Sequence, residues 1–226
     1  MQTIKLNNGI TCPVIGLGTF MLSPEDAQNS TREALKMGYR LIDTANAYVN
    51  ERAVGRGIKE SGIDRKEVCL STKLWPSEYE NPNAVDETLE RLGVDYVDLL
   101  YIHQPAGNWL AGYRQLEKAL RDGKARSIGI SNFEGKYIEE LETKWETVPQ
   151  FIQVEAHPYF TQKDLRVTLD KYGIKLMSWY RRKPSACLPS FRCAKLAQYI
   201  SACLAKTNSV SKLQGNLRRM FRWALS

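Results

Sequence analysis

The stretch "YRLIDTANAYVNE", Tyr39 to Glu51, raises the question on which the fold turns. "YRLI" is an apolar run that reads as a short strand. It ends in a carboxylate, Asp43, and a tyrosine, Tyr48, follows five residues later. Taken alone, Asp43 is a cap for a turn or helix and Tyr48 a packing aromatic. What surrounds them decides between that reading and a chemical one.

Working outward, the same unit recurs. Short apolar runs lie at 14–19, 39–43, 68–73, 97–103, 125–131, 151–157 and 174–179, and between them lie stretches with helix signals. Ser23-Pro24-Glu25-Asp26 supplies an N-cap, a proline for the first turn and acids near the helix start. Asn81-Pro82 opens a helix through "AVDETLERL", and Thr161 is placed to cap "QKDLRVTLDKY". Gly38, Gly93, Gly123 and Gly173 each stop a helix just before the next strand. Upstream, "TIKLNNGITCPVI" alternates around Asn7-Asn8-Gly9, a hairpin signal. Seven apolar strands alternating with helices predict a parallel sheet buried on both faces. The spacing fits a (β/α)8 barrel of TIM type with an N-terminal β-hairpin, though a doubly wound sheet has the same rhythm. Against a Rossmann site, "GLGTF" lacks the GxGxxG spacing. Only seven strands are recognisable, so the predicted barrel is incomplete, with the eighth strand missing.

Composition bounds the function. At 226 residues, 43% hydrophobic and 25% charged, the chain suits one globular core. Its start, "MQTIKLNNGI", has neither a basic segment nor an apolar core of signal-peptide type, and no run is long enough to span a bilayer. Five cysteines, none in a CxxC pair, read as reduced thiols in a cytoplasmic protein, with Cys12 and Cys69 in or beside strands. Two histidines make a histidine-rich metal site unexpected, and no metal is assigned. The net charge of +7 is unevenly placed: residues 181–226 hold ten of the 32 Lys+Arg and none of the 25 Asp+Glu, leaving the first 180 residues at −3. A basic tail on a mildly acidic body does not make the whole protein a nucleic-acid binder, and nucleic acid is disfavoured as a partner.

The ionisable residues at the strand ends carry the chemical reading. Asp43, Lys73 and His103 end the second, third and fourth runs, and Tyr48 lies in the loop after the second. In a barrel these positions share the rim where active sites gather. Each has an ordinary structural explanation, but four together are harder to dismiss. The stretches "GLGT" (16–19), "DTANAYVNE" (43–51), "STKLW" (71–75), "YVDLLYIHQP" (96–105), "GKARSIGISNF" (123–133) and "QVEAHPY" (153–159) resemble, collinearly over about residues 3–180, the aldo-keto reductase family.

What the resemblance implies is NADPH-dependent reduction of small aldehydes or ketones, with Asp43, Tyr48, Lys73 and His103 as the catalytic set. Hydride transfer to a carbonyl builds charge on oxygen, and Tyr48 would be the general acid. Its ordinary pKa of about 10 is high for that task, and the Lys73 ammonium is expected to lower it. Asp43 would keep Lys73 charged and aimed, and His103 would orient the carbonyl oxygen. By the same resemblance Gly18, Thr19, Asp43, Ser131, Asn132, Gln153 and Trp179 fall at cofactor-binding positions. Phe20, Tyr48, His103 and Trp109 fall at substrate-binding ones. Trp179 is open between stacking on the nicotinamide and plain core packing, and so are Phe20 and Trp109 between pocket wall and packing. His157 reads as structural.

The resemblance stops at residue 180. Residues 181–226 form an atypical basic tail, read as an out-of-frame or chimeric gene end or else as a genuine divergent tail. "FRCAKLAQYISACLAK" has helical character, while "YISACLAK" is also placed to cover a gap in the barrel. The second functional reading is a non-catalytic or truncated barrel whose basic tail binds an acidic partner.

Overall fold

All seven apolar runs become strands in the computed structural model, which describes residues 1–157, 160–179 and 200–203. First comes the hairpin: β1 (Thr3–Lys5) pairs antiparallel with β2 (Thr11–Pro13), and Gly9 takes the positive φ of 87° that the turn requires. Then follow β3 (Ile15–Gly18), α1 (Pro24–Lys36), β4 (Leu41–Asp43), α2 (Glu51–Ser61), β5 (Cys69–Leu74), α3 (Ala84–Leu92), β6 (Val97–Ile102), α4 (Trp109–Arg121), β7 (Ala125–Ser131), α5 (Lys136–Glu142), β8 (Phe151–Glu155), α6 (Lys163–Tyr172) and β9 (Lys175–Trp179). Each strand from β3 to β9 runs parallel to the next. All their C-terminal ends therefore lie at one rim.

As the sequence reading expects, the set of parallel β/α units is incomplete: among the described residues there is no eighth parallel strand, although a short antiparallel one occupies the place. Strand β10 (Ile200–Cys203) runs antiparallel to both β3 and β9, with Ile200 opposite Leu17 and Ala202 opposite both Ile15 and Ser178, and it closes the ring. These four residues come from the middle of "YISACLAK", the segment placed to cover the gap; they are strand, not helix.

Local chemistry accounts for the helix ends. Ser23 accepts a hydrogen bond from Asp26 N at the start of α1, with Pro24 in the first turn. Gly93 and Gly173 close α3 and α6 in the left-handed region. Two starts lie later than the sequence suggests. The helix after Asn81-Pro82 begins at Ala84 with Asn83 as its cap. The cap of α6 is Gln162, not Thr161: Gln162 has φ 55°, and its amide donates to Glu134 Oε1 and Glu155 O, each at 2.9 Å. A tertiary contact thus overrides the local capping preference.

Two apolar layers result. The larger lies between the strands and the helices. The smaller fills the barrel interior at its N-terminal end, where Leu6, Cys12 and Val14 of the hairpin region pack with Leu41, Leu99, Tyr101, Phe151 and Met177. Gly129 admits the Tyr101 ring there, since a Cβ at that position would lie 2.7 Å from the ring and 2.8 Å from Phe151 O. The hairpin plugs one end of the barrel and the rim of strand ends remains at the other. Among the described residues, no helix is long and apolar enough to cross a membrane.

Candidate active site

Asp43 is the last residue of β4, Lys73 lies one residue from the end of β5, and His103 directly follows β6, tied by its N–H to Leu74 O. Their strands are neighbours in register, with Asp43 opposite Ser71 and Lys73 opposite Tyr101. The strand periodicity brings these groups together from positions thirty residues apart.

Lys73 is completely buried. Its Nζ donates to Asp43 Oδ2 at 2.6 Å and to Thr44 O at 2.8 Å. Burial alone would discharge the ammonium, but the Asp43 charge, Tyr48 and hydrogen bonds to both outweigh it, and the Lys73 pKa lies above its ordinary value. Asp43 is also buried; its other oxygen accepts from Ser71 Oγ and from Gln153 Nε2 at 3.3 Å. A buried pair of this kind survives because both partners find further hydrogen bonds.

Tyr48 ends a 3-10 turn, Asn46–Tyr48, and its ring centroid is 5.2 Å from Lys73 Nζ. The expected lowering of its pKa is not what results. Burial raises it, the Lys73 charge pulls it back only in part, Asp43 opposes that pull, and the net direction is upward. The phenol therefore holds its proton at neutral pH. His103 lies edge-on to Tyr48, with ring centroids 5.7 Å apart, and edge-on to Trp75 at 4.9 Å. Burial and then the Lys73 charge push His103 down to about 3, so the imidazole is neutral at physiological pH.

A second set of polar groups lies along β3, β7, β8 and β9. Thr19 N and Oγ1 both donate to Asp43 O, at 2.9 and 3.2 Å, next to Gly18, which pairs with Asp43. Ser131 and Gln153 are buried opposite one another. Asn132 has φ 61° and bridges the two sets: its amide donates to His103 O at 3.2 Å and its oxygen accepts from Trp179 Nε1 at 3.1 Å. Trp179 is half-buried. Phe20 is exposed and packs on Tyr48, with centroids 5.0 Å apart. Trp109 is not brought to this cluster. It is buried at the start of α4 edge-on to Phe133 at 5.4 Å, the packing alternative. His157 bridges to Phe160 and lies 3.4 Å from Glu155.

Sequence reasoning assigned no role to four further residues. Trp75 is one, an exposed aromatic beside His103. Ser71, on Asp43, is the second. Asn50 is almost wholly buried: its oxygen accepts from Thr44 Oγ1 at 2.9 Å and its amide donates to Thr19 O at 2.9 Å and Leu22 O at 3.2 Å. It thus ties the turn carrying Tyr48 to the ends of β3 and β4. Glu51 accepts from Thr72 Oγ1 and Arg91 Nε, each at 2.6 Å, and fixes α2 behind β5. The signal for the last two was inside "AYVNE", but a buried amide and an exposed one are the same letter.

The profile of the aldo/keto reductase family matches residues 14–181. The chain is 44% identical over 182 residues to a morphine 6-dehydrogenase of Pseudomonas putida, covering 78% of this chain and 62% of that protein. It is 45% identical over 183 residues to a glyoxal reductase of Bacillus subtilis, covering 79% and 66%. The chain thus spans less than two-thirds of the length of these relatives. Among solved structures, an aldo/keto reductase from Brucella melitensis superposes with TM-score 0.76 at 41% identity, covering 79% of this chain and 70% of that one. A Bombyx mori aldo-keto reductase in complex with NADP superposes with TM-score 0.76 at 32% identity, covering 83% and 71%. On the extent of this match, the chain belongs to the aldo/keto reductase family.

Proposed function

We propose that residues 1–180 are the catalytic body of an NADPH-dependent reductase of small aldehydes or ketones. The observation that carries the reading is the fully buried Lys73–Asp43 pair beneath Tyr48, with neutral His103 on the same rim. A structural ion pair has no need of a phenol and an imidazole at its open side. The named relatives, a glyoxal reductase and a morphine 6-dehydrogenase, support carbonyl–alcohol chemistry.

The donor set fits a nicotinamide. Ser131, Asn132 and Gln153 offer a hydroxyl and two amides on adjoining strand ends, suited to a carboxamide, and the half-buried Trp179 indole beside them offers a flat face. Gly18 and Thr19 border the same region from β3. NADPH, when bound, supplies the hydride. The Bombyx mori structure, solved with NADP, supports this cofactor.

The chain's own groups manage charge and protons. Tyr48 keeps its proton until a carbonyl oxygen gains electron density, then donates it from its hydroxyl. Lys73 favours the resulting phenolate, and Asp43 keeps Lys73 charged against its burial. His103 Nδ1 is buried without a partner among the described residues. Leaving a proton-free nitrogen there costs less than stranding an N–H, so the proton resides on Nε2, which donates to the carbonyl oxygen and orients it. Phe20 and Trp75 flank Tyr48 and His103 and suit the carbon skeleton of a small substrate.

A second reading rests on the four-residue antiparallel β10 in a barrel whose strands β3 to β9 each run parallel to the next. In it residues 181–226 replace an ordinary family ending and the barrel binds without turning over. Loss of NADPH absorbance with a panel of small aldehydes and dicarbonyls tests the first reading. NADPH binding without oxidation across that panel selects the second.

A further inference from the structure

Cys12 on β2 and Cys69 at the start of β5 are 57 positions apart, yet their sulfurs lie 3.5 Å from each other. Cys12 is fully buried in the interior layer, whereas Cys69 is half-buried. The hairpin that carries Cys12 is a separate two-stranded sheet. It is held to the barrel by the Asn7 amide on Pro149 O at 3.1 Å, by the Asn8 amide on Ser127 Oγ at 3.0 Å and by the apolar side chains around it. A disulfide needs its sulfurs about 2.05 Å apart, so a closure of about 1.5 Å remains.

We propose that Cys12 and Cys69 are a redox pair, and that hydrogen peroxide joins them in a disulfide that staples the N-terminal hairpin to the barrel wall. The partially accessible Cys69 reacts first. Its thiolate attacks one peroxide oxygen, the O–O bond breaks, and a sulfenic acid and water form. The Cys12 sulfur then attacks the Cys69 sulfur, the S–S bond forms, and the sulfenic oxygen leaves as a second water. Two thiols lose two electrons and two protons, and one peroxide is reduced to two waters. The contact with Cys12, and then burial, push the Cys69 thiol well above its ordinary pKa. Little thiolate is present at neutral pH, so the pair stays reduced in brief exposure and closes under sustained oxidation.

The proposal stands on the packing of the hairpin, independently of the reductase reading, and its test needs no turnover. The full-length chain is treated with peroxide, its free thiols are alkylated, and it is digested with trypsin without reduction. Fragments 6–32 and 67–73 are expected as one linked species that dithiothreitol splits, and the urea midpoint of the oxidised chain is expected to rise. A chain carrying Cys187→Ser, Cys193→Ser and Cys203→Ser is expected to give the same species. Cys69→Ser removes both the species and the rise. Alkylation of both cysteines overturns the proposal. So does sulfinic acid at Cys69 with Cys12 intact, a link from either mainly to residues 187, 193 or 203, or a midpoint rise that persists in Cys69→Ser.

Discussion

The side of the barrel at β4, β5 and β6 and the seam at β9, β10 and β3 are built by different rules. On the first, each strand leads through a helix to a parallel neighbour, and each strand end delivers a side chain to one rim: Asp43, Lys73 and His103. At the seam, four residues run the opposite way, so the C-terminal end of β10 points away from that rim. Around the ring, β6 stands opposite β10, whereas Gly18 on β3 and Trp179 on β9 border it. His103 thus follows the strand opposite the irregular closure, Lys73 is three strands from it and Asp43 two, whereas of the groups proposed for the nicotinamide Gly18 and Trp179 flank it. Proton chemistry and cofactor affinity should therefore respond to different substitutions.

The largest separation is expected from Tyr48→Phe. Turnover should fall by about 10²–10⁴-fold, the usual cost of losing general acid catalysis. NADPH affinity and the urea midpoint should hardly change, because only one hydroxyl is lost. Single-turnover kinetics checks this in the present chain. If the seam limits turnover, a chimera carrying the C-terminal segment of a relative replaces it. More than half the rate retained would remove Tyr48 from the role of acid.

Acid should strike the same side. His103 titrates near 3 when folded and near 6.5 when unfolded. Between those values the unfolded chain holds the extra proton, so stability rises with pH and is lost as pH falls from 6.5 toward 3. The difference of 6.5 − 3 sets a ceiling of about 5 kcal/mol. Urea unfolding along a pH series should show this slope, and His103→Gln should remove that component. An unchanged slope would mean that the imidazole is charged or exposed in the folded chain.

Lys73→Met should destabilise by about 3–5 kcal/mol, because it leaves the Asp43 carboxylate buried and unpaired. Adding Asp43→Leu should restore much of that loss, since an apolar pair of similar volume carries no desolvation cost. A double variant no better than the single would mean that the pair itself, not the orphaned charge, holds the strands together.

Ser201→Pro probes the other side. Ser201 is paired with Gly16, and proline removes its N–H from the ladder. The expected effect is about tenfold weaker NADPH binding, roughly 1.4 kcal/mol, with the His103-dependent acid slope intact. Fluorescence titration with NADPH measures the first. Unchanged affinity would show that β10 does not shape the cofactor side.

The two sides also differ in how far the sequence exposed them. Strands β3 to β9 were legible because both their faces are buried, so apolar runs between glycine stops mark them within a residue or two. Asp43, Lys73 and His103 followed from their places at strand ends. "YISACLAK" was legible as a filler for the gap but not as an antiparallel strand, since direction is set by which edges remain unpaired. What depends on burial of individual atoms stayed hidden: the upward pKa of Tyr48, the amide of Asn50 inside the fold, the capping of α6 by Gln162, and the packing of Trp109 on Phe133.

The smallest expected effect tests whether the well-built side is free of strain. Val49 follows Tyr48 and precedes Asn50, with φ 57° and ψ 23°. A β-branched residue in the left-handed region is an outlier, and an L-residue there costs about 1–2 kcal/mol. Val49 is 84% exposed, so its side chain offsets little of that by burial. Its conformation is imposed by its neighbours: Tyr48 is held over Lys73, and Asn50 is fastened to Thr19, Leu22 and Thr44. Val49→Gly removes the clash but adds freedom to the unfolded chain, which costs about 0.5–1 kcal/mol. The net expectation is a gain of up to about 1 kcal/mol in urea unfolding, with the acid sensitivity traced to His103 unchanged. Val49→Ala keeps a Cβ in the same region and should gain less than glycine. If glycine destabilises the chain, then Val49 is not strained in solution, and the turn carrying Tyr48 adopts a different backbone from the one described.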